Sequence, residues 1–369
     1  MDSEGASYRD AGVDYDTLDA FKREAMMLAV ATSDLMVAHG GAPVSTSRGE
    51  PAFVFEFAGR HLAFVVEGLG TKAMIAQAVL ETTGVNRFEA VAYDTVAAIV
   101  NDLACVGALP LAVNAYFATG DSAWYENRER ATQLLEGWQQ ACVDAGATWG
   151  GGESPALAGL VTPGEVELAG SAVGALPAGK APLLGDALQA GDEIVLVDST
   201  GLHANGASLA RLIASRLQFG YATELPSGRA FGDALLDPAP MYSRLVQRLG
   251  ELDVPVHYHS HITGHGLLKL MRPQREYTYR IEVLPEVPEV LEFIVAQSKM
   301  DPAQAHSTLN MGAGWAVYCA AGSGEQVAFA AQDLGLVARV AGWVEDGPRR
   351  LILQPIEVTL DGEQLRLSA

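Results

Sequence analysis

The chain has 369 residues, of which 49% are hydrophobic and 19% charged, and its 45 acidic residues outnumber 24 basic ones for a formal net charge of −21. That length is more than one compact core usually holds and predicts two domains. The acidity argues against nucleic acid and anionic membrane as partners, since both need a basic face. A phosphorylated metabolite remains open to such a chain where Mg²⁺ and backbone dipoles offset the repulsion.

The apolar positions Leu18, Phe21, Met26, Leu28, Val30 and Leu35 recur at helical spacing and predict a helix over residues 14–38, ending near His39-Gly-Gly. Residues 53–57 alternate as in a strand, and 61–66 read as a second, more buried one. A turn at 68–71 then leads into a helix over 72–81. Residues 88–107 carry Ala, Val and Ile at helical spacing, interrupted by Asp94, Asn101 and Asp102, and Pro110 closes that segment before a strand at 111–117. Asp121-Ser122 are caps for a helix over 124–145. Proline and glycine cluster at 176–192, the predicted linker, which divides the chain into 1–176 and 177–369. Beyond it strands at 193–197, 257–262 and 315–320 alternate with helices at 207–217, 240–249 and 288–298. Alternation in both halves predicts an α/β or α+β architecture.

Cys105, Cys142 and Cys319 are odd in number, widely spaced and set in apolar surroundings, which predicts buried reduced thiols rather than a disulfide or zinc framework. The acidic, polar start Met1-Asp-Ser-Glu-Gly is unlike a signal peptide, and no apolar run reaches the roughly 20 residues of a membrane helix. A soluble, cytoplasmic protein is expected.

Four glycine-rich stretches carry polar residues suited to phosphate or metal: Glu67-Gly-Leu-Gly-Thr-Lys72, Gly150-Gly-Gly-Glu-Ser154, Gly201-Leu-His-Ala-Asn-Gly206 and His261-Ile-Thr-Gly-His-Gly266. Glycine allows sharp turns that bring backbone N–H groups against an anion. In the first stretch a buried strand ends at Glu67, and Gly68, Gly70 and Thr71 lead to Lys72 at a helix start. Either this is a phosphate loop with Lys72 as a mobile cation, or it is a tight turn with a surface lysine. Its spacing is not that of a Walker A motif. Asp94 and Asp102 in an apolar helix suit Mg²⁺ ligation first, with capping and salt bridging the alternative. Gly151 and Gly152 before Glu153 suit a backbone passing close to a ligand, or a flexible turn. His203 and Asn205 can hold phosphate, a ribose hydroxyl or a substrate amide, or form an Asn-Gly turn beside a solvent histidine. His257, His259 and His261 share one strand face, yet a strand does not readily bring three histidines to one zinc; His261 is the site candidate.

In order, these segments resemble the phosphoribosylformylglycinamidine cyclo-ligase (aminoimidazole ribonucleotide synthetase) family. The likeness begins at Ser7-Tyr-Arg-Asp-Ala-Gly-Val-Asp14 and continues through Glu67–Lys72, where the family has Asp-Gly-Val-Gly-Thr-Lys. It runs on through Asp94, Val100-Asn-Asp-Leu103, Tyr116-Phe-Ala-Thr-Gly120, Gly151-Gly-Glu153, Ser199–Ser208, His261-Ile-Thr-Gly and Thr308–Gly314. Glu67 stands for the family's Asp, and His265 interrupts its Gly-Gly-Gly. The resemblance implies a PurM-like pair of domains. The N-terminal domain binds ATP and dimerises through its strands into a shared barrel; the C-terminal one is an α/β sandwich. It implies an ATP-dependent ligase of purine biosynthesis, closing formylglycinamidine ribonucleotide to the aminoimidazole with release of ADP and phosphate. By the same resemblance Glu67, Asp94 and Glu153 gather Mg²⁺, while Lys72 meets phosphate. Gly68, Gly70, Thr71, Asn101, Gly151, Gly152 and Asn205 line the ATP site, and Lys72, Asp94, His203 and His261 act on or orient the substrate. The alternative readings are a paralogue that activates a different amide, carbamoyl or phosphate acceptor, and a non-catalytic nucleotide-binding dimer.

Overall fold

The computed structural model describes residues 15–273 and 275–365; the Ser7–Asp14 motif lies outside the described residues. Helices are α1 (Tyr15–Val30), α2 (Lys72–Thr83), α3 (Phe88–Ala104), α4 (Arg128–Ala145), α5 (Ala207–Arg216), α6 (Phe231–Ala234), α7 (Ser243–Glu251), α8 (Glu289–Ser298), α9 (Pro302–Thr308) and α10 (Gly324–Gln332). Strands β1 (Gly41–Pro43), β2 (Phe53–Phe57), β3 (Arg60–Gly68), β4 (Leu109–Thr119), β5 (Thr148–Glu153) and β6 (Val166–Ala175) form one sheet in the order β1-β2-β3-β6-β4-β5. The other sheet holds β7 (Glu193–Asp198), β8 (Val256–His261), β9 (Tyr277–Ile281), β10 (Ala313–Cys319), β11 (Ala338–Asp346), β12 (Arg350–Leu353) and β13 (Val358–Asp361), ordered β13-β12-β9-β11-β7-β10-β8. Pairing is antiparallel except for β4 with β5 and β12 with β9.

The central strands β7 and β10 of the C-terminal sheet are buried on both faces, whereas the N-terminal sheet buries one face by alternation. In β6 the residues Val166, Leu168, Gly170 and Ala172 turn inward against α3, with Trp138 of α4 reaching over Gly170, while the residues between them do not. Asn127 caps α4 by accepting from the Arg130 N–H at 3.1 Å, and Asp301 and Gln304 close a capping box on α9. The largest core joins the two halves: Ile75, Val79 and Ile99 pack in the same cluster as Leu209, Ile213, Phe231 and Leu291. That shared core fixes the halves against each other and so shapes what lies between them. All three cysteines are free and buried.

Several elements differ from expectation for local reasons. The first helix stops at Val30 and continues as a 3-10 segment, Ser33–His39. Its spacing is amphipathic, but Phe21, Leu28 and Leu35 are exposed rather than packed into the core. Pro110 does not separate helix from strand. It sits inside β4 at a register shift against β6, a place where a missing N–H is tolerated. The Gly150–Gly152 run is an edge strand rather than a loop. A Cβ on Gly152 would lie 2.2 Å from the Ala115 carbonyl oxygen and one on Gly150 2.6 Å from Asn114 Oδ1, so these glycines serve the close approach of β4.

Candidate active site

The two halves enclose a cleft of about 610 Å³. Its N-terminal wall is the loop that leaves β3, Glu67-Gly68-Leu69-Gly70-Thr71, with Gly70 at φ 68° where a Cβ is disfavoured. Its C-terminal wall comes from Asn205–Ser208 at the start of α5 and from His261, Thr263, Gly264 and His265 after β8. The Thr71 and Ser208 hydroxyls meet at 2.9 Å and tie the two walls together.

At the base of the cleft, Asp102 on α3 accepts a 2.6 Å hydrogen bond from His261 Nδ1, at the end of β8. Burial pushes the Asp102 carboxyl up, but the bond and charge of His261, with Arg272 and Lys269, outweigh burial and hold it below its ordinary range. It is therefore the carboxylate, the group that accepts from His261 Nδ1. Glu67 stands on the other side of Asp102. Burial first, and then the charge of Asp102 and a hydrogen bond to it, push the Glu67 carboxyl up to about 8. Two carboxyl groups sharing one proton in a cleft are a pair that a divalent cation can replace, and Mg²⁺ uses one or two carboxylates together with substrate phosphates. Glu67 and Asp102 thus fit that metal by their chemistry.

The expected site residues fall into two groups. Glu67, Gly68, Gly70, Thr71, Asn205 and His261 come together in the cleft. The others do not line it. Lys72 and Asp94 are fully buried behind the loop, bonded to each other, and Asp94 Oδ1 accepts from the Ala239 N–H at 2.7 Å. Burial pushes the Asp94 carboxyl up while Lys72 opposes it. Lys72 is accordingly neither a mobile cation nor a surface lysine. Asn101 spends its amide on the other half of the chain, donating to Pro240 O and accepting from Ser243 N, each at 3.0 Å. His203 is buried beneath the cleft with φ 59°, beside Tyr242, and its Nδ1 has no hydrogen-bond partner among the described residues. Burial, helped by the nearby Lys72 and His261, holds its imidazole neutral.

Gly151, Gly152 and Glu153 sit on the edge strand β5. Glu67 is in register with Gly170, Gly170 with Ala115, and Ala115 with Gly152. Three strand spacings, about 14 Å, therefore separate the Glu67 row from β5. Glu67, Asp94 and Glu153 are not gathered into one metal-binding group within this chain; among the described residues no cluster of three such ligands occurs. The three strand histidines also part company: His257 pairs with Asp192 at 2.8 Å, His259 packs on Trp315, and His261 joins Asp102.

Glu50, Lys269 and Arg272 also line the cleft and were not expected. Glu50 accepts from Tyr258 Oη at 2.8 Å and meets Arg272 Nε at 3.3 Å, while Arg272 Nη2 donates to the Gly49 carbonyl at 2.7 Å, which closes the cleft's floor across the two halves. Burial raises the Glu50 carboxyl against the pull of Arg272. A lone Lys269 within Leu267-Leu268-Lys269-Leu270-Met271 was the available signal, because an isolated cation in an apolar run needs a partner or a ligand.

A cleft between two α/β halves, with a glycine turn on one wall and a carboxylate-held histidine on the other, is the arrangement of a two-domain enzyme with its site between the domains. Residues 49–176 match the model for the AIR synthase related protein N-terminal domain, and residues 189–353 match its C-terminal domain, so the chain belongs to the AIR synthase related protein family. Among curated relatives, a phosphoribosylformylglycinamidine cyclo-ligase from Methanothermobacter thermautotrophicus is 30% identical over 92% of this chain and 94% of its own. Proteins of the same name from Carboxydothermus hydrogenoformans and an Anaeromyxobacter species are 30% and 34% identical, over 95% and 76% of this chain and 99% and 79% of their own. These relatives place the chain in the ligase class of enzymes. The fold recurs in the hydrogenase maturation protein HypE in complex with ATP (TM-score 0.57, 16% identity, 81% of this chain and 83% of that one). It recurs again in AaThiL complexed with AMPPCP and TMP (TM-score 0.58, 15% identity, 91% and 94%). No described helix is long and apolar enough to cross a membrane.

Proposed function

We propose that the chain is an ATP-dependent cyclo-ligase that closes formylglycinamidine ribonucleotide to aminoimidazole ribonucleotide in purine biosynthesis. The observation that carries this reading is the convergence of the Gly68–Thr71 loop and the His261–Asp102 pair on one cleft. The loop offers backbone N–H groups and the Thr71 hydroxyl to the nucleotide's phosphates. Mg²⁺, held by Glu67 and Asp102, supplies charge neutralisation of those phosphates.

The chemistry needs little from the protein beyond position and one proton acceptor. The formyl oxygen of the acceptor attacks the terminal phosphorus of ATP and ADP leaves. The amidine nitrogen of the same molecule then attacks the activated carbon, and the bond from carbon to the phosphorylated oxygen breaks to release phosphate. His261 Nε2 takes the proton that the nitrogen loses, and Asp102 stabilises the imidazolium that results. Asn205 and Ser208 orient the acceptor on the opposite wall, where an intramolecular attack gains most from a held geometry. The test is phosphate release by the purified protein with ATP and formylglycinamidine ribonucleotide. Acceptor-dependent turnover with formation of the imidazole product supports the reading, and ATP hydrolysis indifferent to that acceptor overturns it. Glu67 and His265, where the family has Asp and Gly, favour the second reading: an enzyme using ATP to activate a different acceptor.

The expected homodimer has a surface to form through. Phe57, Phe64, Val66, Leu111 and Tyr116 are exposed on the face of the N-terminal sheet that no described helix covers, an apolar area unusual for an isolated protomer. A second copy laid against it would close the two sheets around a shared core. Val66, 67% exposed, tests this: Val66→Asp is expected to convert a dimer to monomers in sedimentation equilibrium with secondary structure unchanged by circular dichroism. A wild-type monomer, or a variant still dimeric, removes this sheet face from the interface.

A further inference from the structure

Lys269 occupies a setting that none of the roles above requires. It lies on the 3-10 segment Gly266–Met271, whose Leu267, Leu268, Leu270 and Met271 sink into the core beside the C-terminal sheet. The Lys269 side chain is buried with them, 8% exposed, yet lines the cleft. Its ammonium forms no hydrogen bond and no ion pair with any described residue, whereas the neighbouring Arg272 is committed to Glu50 and to the Gly49 carbonyl. Glu67 and Asp102 feel its charge without pairing with it. Burial, and then the charge of Arg272, push the Lys269 amine down to about 7 against the pull of Asp102. That is the cost of a cation withdrawn from water with no bonded counter-charge among the described residues, and the group lines an open cavity.

Which anion it serves follows from the layout of the walls. The glycine turn that suits a nucleotide's phosphates is on the N-terminal side. Lys269 belongs to the C-terminal side, with Thr263, Gly264 and His265. We infer that Lys269 anchors the phosphate monoester of the acceptor, holding the far end of the ribonucleotide while its formyl and amidine groups meet at His261. This rests on the acceptor assigned above, whose fixed negative group is that phosphate. A compact point charge on a four-carbon stem suits a tetrahedral phosphate at the bottom of a cleft.

The test uses ribose 5-phosphate as the probe, with a non-hydrolysable ATP analogue in parallel, titrated calorimetrically into wild type, Lys269→Met and Lys269→Arg. Lys269→Met is expected to weaken ribose 5-phosphate about ten- to a hundred-fold, the range for a lost hydrogen bond to a charged group, and to leave the analogue within about two-fold. Lys269→Arg is expected to restore most of the affinity, and it keeps the inference testable if the Met variant does not fold. Unchanged pentose phosphate binding in Lys269→Met, or no binding by wild type, overturns the inference. So does parallel weakening of both probes, which would place Lys269 on the nucleotide. Wild type that holds ribose 5-phosphate through Lys269 but ignores the ATP analogue would sustain this inference while sinking the cyclo-ligase reading.

Discussion

His261→Ala is expected to lower kcat for acceptor-dependent ATP turnover by about two to four orders of magnitude, the usual worth of a positioned proton acceptor. KM for both substrates should change by only a few-fold, because the imidazole works on the proton that leaves during ring closure rather than on ground-state binding. Asp102→Asn is expected to lower kcat comparably through a different route. An Asn amide at 2.6 Å from Nδ1 would donate where the carboxylate accepts, moving the imidazole proton to Nε2 and removing the acceptor. Because Asp102 also faces Glu67, this variant alone should need more Mg²⁺ for half-maximal rate. Steady-state kinetics with Mg²⁺ titration separates the two. Wild-type kcat in His261→Ala would remove it from the chemistry, and an unaltered Mg²⁺ requirement in Asp102→Asn would remove Asp102 from the metal.

The second large effect concerns stability. Asp94→Asn is expected to cost about 3–5 kcal/mol, because it leaves the Lys72 ammonium buried with no counter-charge. The Asn oxygen can still accept from the Ala239 N–H, so the loss isolates the charge and not the backbone contact. Lys72→Met should cost a similar amount. The double variant Lys72→Met, Asp94→Asn should recover a large part of the loss, since neither charge then remains uncompensated. The shift of the urea midpoint for the three proteins measures this. Equal, additive losses would show the pair to be independent and the argument wrong. Any fall in activity of Asp94→Asn should follow its unfolding, and a folded variant with normal thermal stability but no ATP turnover would put Asp94 back at the reaction.

Much of the fold was legible along the chain. The strands 53–57, 61–66 and 193–197 and the long helix from residue 88 stand where expected, because the first alternates, the second and third are short apolar runs bounded by turn residues, and the helix repeats Ala, Val and Ile at helical spacing. The strands β5 and β6 were not anticipated. Three of the six residues of β5 are glycine and it has no pattern to read, since Gly150 and Gly152 allow the close approach of β4. β6 mixes Gly, Ala and Ser on its faces, so its alternation is faint despite its central place between β3 and β4. In the site, the glycine turn and His261 were visible because a turn motif declares its geometry locally. The roles of Lys72, Asp94 and Asn101 were not visible, because a buried ion pair and a cross-chain amide contact look the same in sequence as a charged or polar ligand set.

The order of residues by itself determined that this is a two-part α/β chain, that Gly68, Gly70 and Thr71 form a turn between a strand and a helix, and that the chain carries a net charge of −21. Those are consequences of local sterics, periodicity and summed charge. Only the tertiary structure decided which acids and cations face each other across the two halves. It spent Asp94 on Lys72, gave Asp102 to His261, set Glu67 against Asp102, and left Lys269 facing the cleft. Electrostatic roles depend on distances of a few ångströms and on exclusion of water, and residues up to 159 positions apart acquire both only when the core has packed.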